Sequence, residues 1–480
     1  MEYHAILLGG TSADLGGRML NLPRLRTAAS RSGFDVLAVD CLYFLSQDEI
    51  IDLLKKFMST KTKVIGFSLP WYVPGYIEST WVNEEIVAKI RTLWPEIIII
   101  TGNQIIRTPI KSDYHFIGLS DISFVEFLKK VCGQPTNIFI QKPLTNQYKY
   151  VINSDTSNPI IDVNDTSTEW ILGDDLNPLD TLPLEVSRGC VFSCSFCRFP
   201  GLGKKHNDYI RSAANIAGEL RRNFDLFGIT RYNIVDNTFN DNMYKLNILR
   251  EALDIAKLPK FEFCAFIKPE TLATKGGEMI PVLIELGLVG SYLGIESVNN
   301  ESRRAINKGM DINRILDASY RLVSDSKGRV KNWASMIIGL PNDTIDMIHE
   351  SREFFIKEQD KLFKQWRYYA LDMRAAPPGE LTGTISAMEK DPLKYGYNLP
   401  PDGEWTNKHM THKIAMDLME SLWEKDKDVV KAGGWNVSSC WFLNMTTLEQ
   451  FDQPVSTYRA EYVNAIMHDA RRRYTNLMAR

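Results

Sequence analysis

The sequence has no long apolar run, no disulfide pattern and almost no net charge. Lys and Arg number 56 against 59 Asp and Glu, a formal charge of −3, so no global field draws nucleic acid or an anionic membrane. No apolar stretch approaches the roughly 20 residues that a membrane-crossing helix needs, and Ile97 to Ile100 is long enough only for a buried strand. Nothing at the start reads as a leader, since Met1-Glu2-Tyr3-His4 runs straight into a strand-like segment. No added module of clustered basic and aromatic residues marks nucleic-acid binding. A short basic run, Arg471-Arg472-Arg473, reads as a solvated helix face. Four of the seven cysteines, Cys41, Cys132, Cys264 and Cys440, are scattered through apolar surroundings as single buried thiols. A chain without a disulfide framework belongs in a reducing compartment, so a cytoplasmic protein is expected.

What is present is a strand–helix alternation that starts twice. With 480 residues the chain is long enough for two or three domains with full cores. Strand-like segments at Ala5 to Leu8, Asp35 to Asp40, Val64 to Ser68, Ile97 to Thr101 and His115 to Leu119 are separated by helical patterns. Near-continuous apolar strands between helices predict a parallel sheet covered on both faces, an α/β doubly wound, flavodoxin-like unit over residues 1–135. Ligands of such units bind beyond the carboxyl ends of the strands, which here carry Gly9, Gly10, Ser68 and Gly102. Residues 136–180 are rich in Asn, Asp, Ser, Thr and Pro and read as a linker. From Leu182 six further strand–helix units follow, with strands ending near Val235, Ile267, Ile295, Ile338 and Met373. Residues 381–480 read as a smaller, mainly helical region with helices near His412 to Lys425 and Thr457 to Met478. There, Trp405, Trp423, Trp435 and Trp441 read as packing residues, and His409 and His412 lack the further ligands of a metal site.

The densest chemical signal is Glu185-Val186-Ser187-Arg188-Gly189-Cys190-Val191-Phe192-Ser193-Cys194-Ser195-Phe196-Cys197. Three thiols spaced C-x3-C-x2-C can converge on one metal centre from a single loop. Four thiolates complete a tetrahedral zinc site or an all-cysteine cluster, whereas three leave one iron of a four-iron cluster open. The residues leave two readings, a zinc knuckle or an iron–sulfur cluster with a vacant iron.

The loop resembles that of radical S-adenosylmethionine (SAM) enzymes, with Phe196 as the aromatic before the last cysteine. Gly294-Ile295-Glu296-Ser297 and Asn307-Lys308-Gly309 resemble that superfamily's fourth-strand signature and the helix start after it. Asp236-Asn237-Thr238-Phe239, Gly339-Leu340-Pro341-Asn342-Asp343-Thr344 and Pro377-Pro378-Gly379 resemble its turns after strands two, five and six. The resemblance implies a partial (β/α)6 barrel over residues 181–380 and a [4Fe-4S] cluster on Cys190, Cys194 and Cys197. It implies SAM bound at the open iron and cleaved by one electron to methionine and a 5′-deoxyadenosyl radical. Glu296 and Ser297 would face the polar groups of SAM, and backbone around Phe196, Ile338 and Gly339 would cradle adenine. Asp236 and Lys268, at strand ends, are placed toward SAM or the substrate.

Residues 1–135 resemble the cobalamin-binding domain that precedes the radical SAM domain in many such enzymes, with a glycine-rich first turn, Gly66-Phe67-Ser68 and the Gly102 turn. The D-x-H-x-x-G motif of cobalt-ligating domains is absent, and Gly102-Asn103-Gln104 and Gly118-Leu119-Ser120-Asp121 depart from the group's usual sequences. The resemblance implies a cobalamin-dependent methyltransferase acting on an unactivated carbon. Radical chemistry without cobalamin or without methylation, such as a rearrangement or cyclisation, is the alternative; a non-catalytic iron–sulfur or zinc protein is the alternative from another class. The expected partners are a small molecule, peptide or modified nucleoside as substrate and flavodoxin or ferredoxin as electron donor.

Overall fold

The computed structural model describes residues 2–10, 18–68, 82–103, 110–142, 148–154, 162–198, 208–359, 361–363, 365–373, 385–400, 404–430 and 454–480. The chain divides into two compact units. One holds Met1–Asn177 with Val463–Arg480, the other Pro178–Ala376 with Ile385–Tyr462.

The first unit is built on strands β1 (Ala5–Leu8), β2 (Val36–Val39), β3 (Val64–Ser68), β4 (Ile98–Asn103), β5 (Ser112–Ile117) and β6 (Tyr148–Asn153). They form one sheet in the order β2-β1-β3-β4-β5-β6, parallel throughout. The first five follow the flavodoxin-like order. Helices α1 (Asn21–Arg31), α2 (Gln47–Phe57), α3 (Glu84–Leu93) and α4 (Asp121–Val131) follow β1, β2, β3 and β5. Alternate residues of one strand feed opposite faces. Ile6 and Leu8 join one core with Ile65, Phe67 and Ile99, while Ala5 and Leu7 join another with Val36, Val64 and Ile100. Gly66 leaves room for this packing, since a Cβ there would stand 2.6 Å from Leu7 Cδ2.

Three features differ from the sequence reading. Tyr148–Asn153, inside the stretch read as a linker, is the sixth strand and pairs with β5. Its alternation is short and lies among turn-forming residues, so pairing rather than pattern defines it. The C-terminal region is shared between the units, because helix α13 (Val455–Ala479) passes from one into the other. The basic run is also more engaged than a solvated face: Arg471 pairs with Glu49, Arg472 with Asp175, and buried Arg473 with Asp40 at 2.6 Å. Asp40 also receives Arg18 at 3.0 Å. Burial pushes the Asp40 carboxyl up, but the two guanidinium groups outweigh it and hold the carboxyl below its ordinary range.

The second unit carries β7 (Leu182–Leu184), β8 (Arg231–Ile234), β9 (Glu262–Ile267), β10 (Leu288–Glu296), β11 (Lys331–Ile338) and β12 (Gln365–Ala370). They pair in parallel and in strict chain order. Helices α5 (Ala213–Phe227), α6 (Met243–Ala256), α7 (Pro269–Glu285), α8 (Asn300–Ala305), α9 (Ile312–Asp325) and α10 (Ile345–Glu358) fill the connections. Sequential parallel strands with helical crossovers are the expected open (β/α)6 arrangement. Beyond it come α11 (Ala387–Lys390) and α12 (His412–Asp426). Asp426 closes α12 onto β12: Trp366 Nε1 and Tyr368 Oη each donate to it at 3.0 Å, and Arg352 Nε at 2.6 Å. Trp405 packs on the turn after β11, where Gly339 has φ +95° and a Cβ would stand 2.4 Å from the indole.

The same turn holds a buried acid. Asp343 accepts Ser302 Oγ at 2.6 Å and the Leu340 amide at 3.0 Å, and burial raises its carboxyl from 3.8 to about 6. A raised folded-state value makes the acid's contribution to stability largest below pH 3.8 and removes it as pH climbs to about 6. Asp343→Asn should therefore flatten the chemical-denaturation profile between these limits, where the unaltered protein loses about 3 kcal/mol. Asp40→Asn removes the carboxylate shared by two buried guanidinium groups and should cost about 3–5 kcal/mol in urea unfolding at neutral pH; a cost under about 1 kcal/mol would mean that Asp469, the Asp174 carbonyl and solvent suffice to hold them.

Candidate active site

The cysteine loop leaves β7 and is fixed at once by a buried carboxylate. Asp236, just beyond β8, accepts the Val186 and Ser187 amides at 2.8 and 3.0 Å and Ser187 Oγ at 2.6 Å. Lys245 Nζ lies 3.4 Å from Asp236 and 2.9 Å from Asp241. Burial lifts the Asp236 carboxyl above its ordinary value although Lys245 and the three donors oppose it. The sequence reading aimed Asp236 at SAM or the substrate; the structure engages its oxygens with the start of the loop.

Gly189, with φ +88°, turns the chain into the thiols. Cys190 is buried, its Sγ 3.4 Å from Thr238 Oγ1. Cys194 and Cys197 are partly exposed, and the Cys197 amide donates to the Cys194 carbonyl at 3.1 Å. Ser195 N donates to Ile306 O at 3.1 Å, and Asn307 Nδ2 to Ser193 O at 3.0 Å. From the other side, Met388 N donates to Ser195 O at 3.0 Å, and Arg198 pairs with Glu389. Strand ends and helix starts distant in sequence thus hold one short loop.

Beneath Cys194 lies a buried charge network. Lys308 Nζ is 3.4 Å from Glu296 Oε1 and 3.8 Å from Glu270 Oε1 and donates to Gly294 O. Arg303 pairs with Glu270 at 2.6 Å. Burial works against the Lys308 ammonium, but Glu296 and Glu270 outweigh it and hold its pKa above the ordinary lysine value. Burial raises Glu270, and Lys308, Lys268 and Arg303 reverse the shift. Burial also raises the Cys194 thiol, with Lys308 and Lys268 opposing.

Backbone geometry places Glu296 in this network. The β10–β11 register slips between Gly294 and Glu296, Ser297 N donates to Ile295 O at 2.8 Å, and Glu296 has φ +64°. A three-residue turn about a non-glycine residue at positive φ costs about 1–3 kcal/mol. Ser335 Oγ donates to Glu296 Oε2 at 3.0 Å. A Cβ at Gly294 would stand 2.7 Å from Glu296 Oε1 and 3.2 Å from Lys308 Nζ, so the glycine makes the space in which the pair meets. Ser297 Oγ accepts the Asn299 amide at 3.0 Å. Ile338 is buried, its carbonyl bound to Leu371 N at 2.9 Å, and Gly339 O accepts Tyr397 Oη at 2.6 Å. Phe196 is partly exposed.

Three thiols carried by one loop, Cys190, Cys194 and Cys197, are a donor set that fits a four-iron cluster with one iron left open. A tetrahedral zinc requires its sulfurs all about 2.3 Å from a single centre, whereas a cubane cluster takes each thiolate on a different iron.

The inward face of the sheet continues from this network. Phe266 lies two residues before Lys268 and Tyr292 two before Gly294. The two rings stand 4.9 Å apart, Phe266 is 44% exposed, and Trp333 meets Tyr292 edge-on at 4.9 Å. Tyr369 on β12 is 38% exposed. In the first unit, Gly9 and Gly10, Ser68 and Gly102 close the carboxyl ends of adjacent strands β1, β3 and β4. Ser68 Oγ accepts Asn21 Nδ2, and a Cβ at Gly9 would press on Leu22 at 2.8 Å. His4 accepts the Asp35 amide at 3.0 Å, and His115 is buried against Thr101 and Tyr148. Thr11, Ser12, Leu69, Pro70, Gln104, Pro377-Pro378-Gly379, Trp435, Cys440 and Trp441 lie outside the described residues.

Sequence reasoning did not assign Glu270, Arg303 and Lys308 to the site. Lys308 was visible within Asn307-Lys308-Gly309, but nothing in the spacing says that Glu270 and Arg303 meet it across β9 and β10.

Comparison with known proteins bears on both units. The model of the radical SAM superfamily matches residues 184–355. No curated protein matches. Among solved structures, the chain is similar to the radical S-adenosylmethionine methyltransferase TsrM from Kitasatospora setae with cobalamin and a [4Fe-4S] cluster bound. That likeness covers 98% of this chain and 100% of the other at 16% identity and a TM-score of 0.64. TsrM with a tryptophan substrate and a SAM analogue gives a TM-score of 0.62 at 16% identity, over 98% of this chain and 99% of that one. The cobalamin-dependent S-adenosylmethionine radical enzyme OxsB matches over 82% of this chain and 56% of its own, at 16% identity and a TM-score of 0.56. Residues 184–355 are therefore a radical SAM domain, set in a chain whose fold is that of TsrM and OxsB.

Proposed function

We propose that this protein is a cobalamin-dependent radical SAM methyltransferase acting on an unactivated carbon. The observation that carries the reading is the Cys190–Cys194–Cys197 loop at the carboxyl end of a sequential six-stranded parallel sheet, in a chain that matches TsrM over 98% of its length. Cys190, Cys194 and Cys197 would hold the [4Fe-4S] cluster, and Glu296, braced by Lys308 and Ser335, would present a fixed carboxylate to the amino group of SAM. Backbone from Phe196 and from Ile338 and Gly339 would flank adenine. The carboxyl edge formed by Gly9, Gly10, Ser68 and Gly102 would hold cobalamin. When bound, these groups supply an electron for reductive cleavage of SAM and a carrier for the methyl group.

What the chain itself contributes is order and charge. Asp236 clamps the root of the loop, so the three thiols are held before any ligand arrives. The Lys308–Glu296–Glu270–Arg303 network offers a site of fixed charge away from bulk water, where electrostatic contacts are strong. On the inward face Phe266, Tyr292 and Trp333, level with one another on adjacent strands, form an aromatic wall. That wall supports a small molecule with a flat ring as substrate, ahead of a peptide or modified nucleoside; TsrM itself is described with tryptophan bound. Flavodoxin or ferredoxin would supply the electron.

A second reading, radical SAM chemistry without cobalamin, is favoured by the placement of His4 and His115. Neither histidine stands at the carboxyl edge of the first sheet, so neither is placed to ligate a cobalt ion there.

Anaerobic reconstitution with iron, sulfide and hydroxocobalamin, followed by desalting, tests the proposal. Cluster absorption with stoichiometric retained cobalamin is expected; a cluster without cobalamin would move the assignment to the second reading. Cys194→Ala should lose the cluster and all 5′-deoxyadenosine formation, and a variant that keeps both would sink the central assignment. Gly294→Ala should keep the cluster but weaken SAM binding about tenfold or more, roughly 1.4 kcal/mol, because the added methyl drives the Glu296 carboxylate off Lys308. Unchanged affinity by calorimetry would show that the pair plays no part in binding.

A further inference from the structure

Lys268 directs its charge at one thiol of the loop. Its Nζ stands 4.0 Å from Cys194 Sγ and 4.4 Å from the centroid of the Phe192 ring. Its side chain is 12% exposed, so bulk water screens the charge little. The backbone is pinned on both sides: Lys268 N donates to Asn240 Oδ1 at 2.7 Å, and Asn240 Nδ2 donates to Lys268 O at 3.1 Å. Glu270 Oε2 faces the ammonium at 3.4 Å and accepts no hydrogen bond from the described residues. The same carboxylate is shared with Arg303 and Lys308. The buried network therefore holds three cations, Lys268, Arg303 and Lys308, against two carboxylates, Glu270 and Glu296. Among the described residues of this network one positive charge is in excess, and Lys268 carries its own charge to within 4.0 Å of Cys194 Sγ.

A four-iron cluster on three thiolates is an anion, and one-electron reduction makes it more negative. Positive charge and hydrogen bonds at the cysteine sulfurs favour the reduced form. We propose that Lys268 is a positioning residue that raises the reduction potential of the cluster through Cys194. The inference rests on the proposed cluster binding by Cys190, Cys194 and Cys197. Phe192 and Glu270 hold the ammonium in place, and the electron comes from a low-potential one-electron donor.

The test is a redox titration of the reconstituted protein with dithionite at controlled potentials, following the electron paramagnetic resonance of the reduced cluster. Lys268→Met should lower the ratio of reduced to oxidised cluster at a fixed potential tenfold or more, equivalent to 59 mV for a one-electron couple. Lys268→Arg should retain the original midpoint. Glu270→Gln removes the facing carboxylate and should move the midpoint the other way. A loaded Lys268→Met protein with an unchanged midpoint overturns the inference and leaves the proposed function standing. If Lys268→Met loads no cluster, Glu270→Gln decides, and a midpoint that stays or falls overturns the inference. Loss of the cluster from both variants also overturns it, since the two residues would then serve assembly. Failure of the unaltered protein to load any cluster overturns the proposed function itself.

Discussion

A lysine ammonium buried beneath a loop of thiols is the constraint around which the second unit is arranged. Taking such a charge from water costs several kcal/mol unless opposite charge meets it at close range. Glu296 and Glu270 meet Lys308 at 3.4 and 3.8 Å. For Glu296 to arrive there, β10 slips its register, the residue takes a positive φ, and residue 294 has no side chain. The strain at Glu296 and the glycine before it have one cause, the geometry of this ion pair.

The loop above the network depends on a second buried carboxylate. Asp236 satisfies two backbone amides and a hydroxyl where β7 ends, which removes the freedom of the chain entering the cysteines. Asn307, Met388 and Arg198 fasten the far side. A loop fixed at both ends loses little conformational entropy when it takes up a ligand. The radical SAM domain thus presents its thiols on a rigid frame although they occupy irregular backbone.

The two units apply one rule to two sheets. Each is parallel throughout, and in each the residues singled out for binding follow the carboxyl ends of the strands. In the first unit these ends are small: Gly9 and Gly10, Ser68 and Gly102. In the second they carry charge: Asp236, Lys268 and Glu296. The likeness to TsrM over the whole chain is a likeness of this two-sheet plan, reached at 16% identity.

The sequence by itself determined the plan of both sheets. Apolar strands between amphipathic helices leave few arrangements other than parallel sheets, and three cysteines in eight residues announce their chemistry without a fold. Tyr148–Asn153 was hidden because a short strand among turn-forming residues is recognised by its partner, here β5. The partners of Asp236 and Lys308, the bond from Arg473 to Asp40 and the approach of Lys268 to Cys194 were decided by the tertiary structure. Those residues are 9, 38, 50, 74 and 433 positions from the groups they meet. Spacing along a chain encodes contacts within a helix, strand or loop; it carries no distance between elements that meet only when the sheet forms.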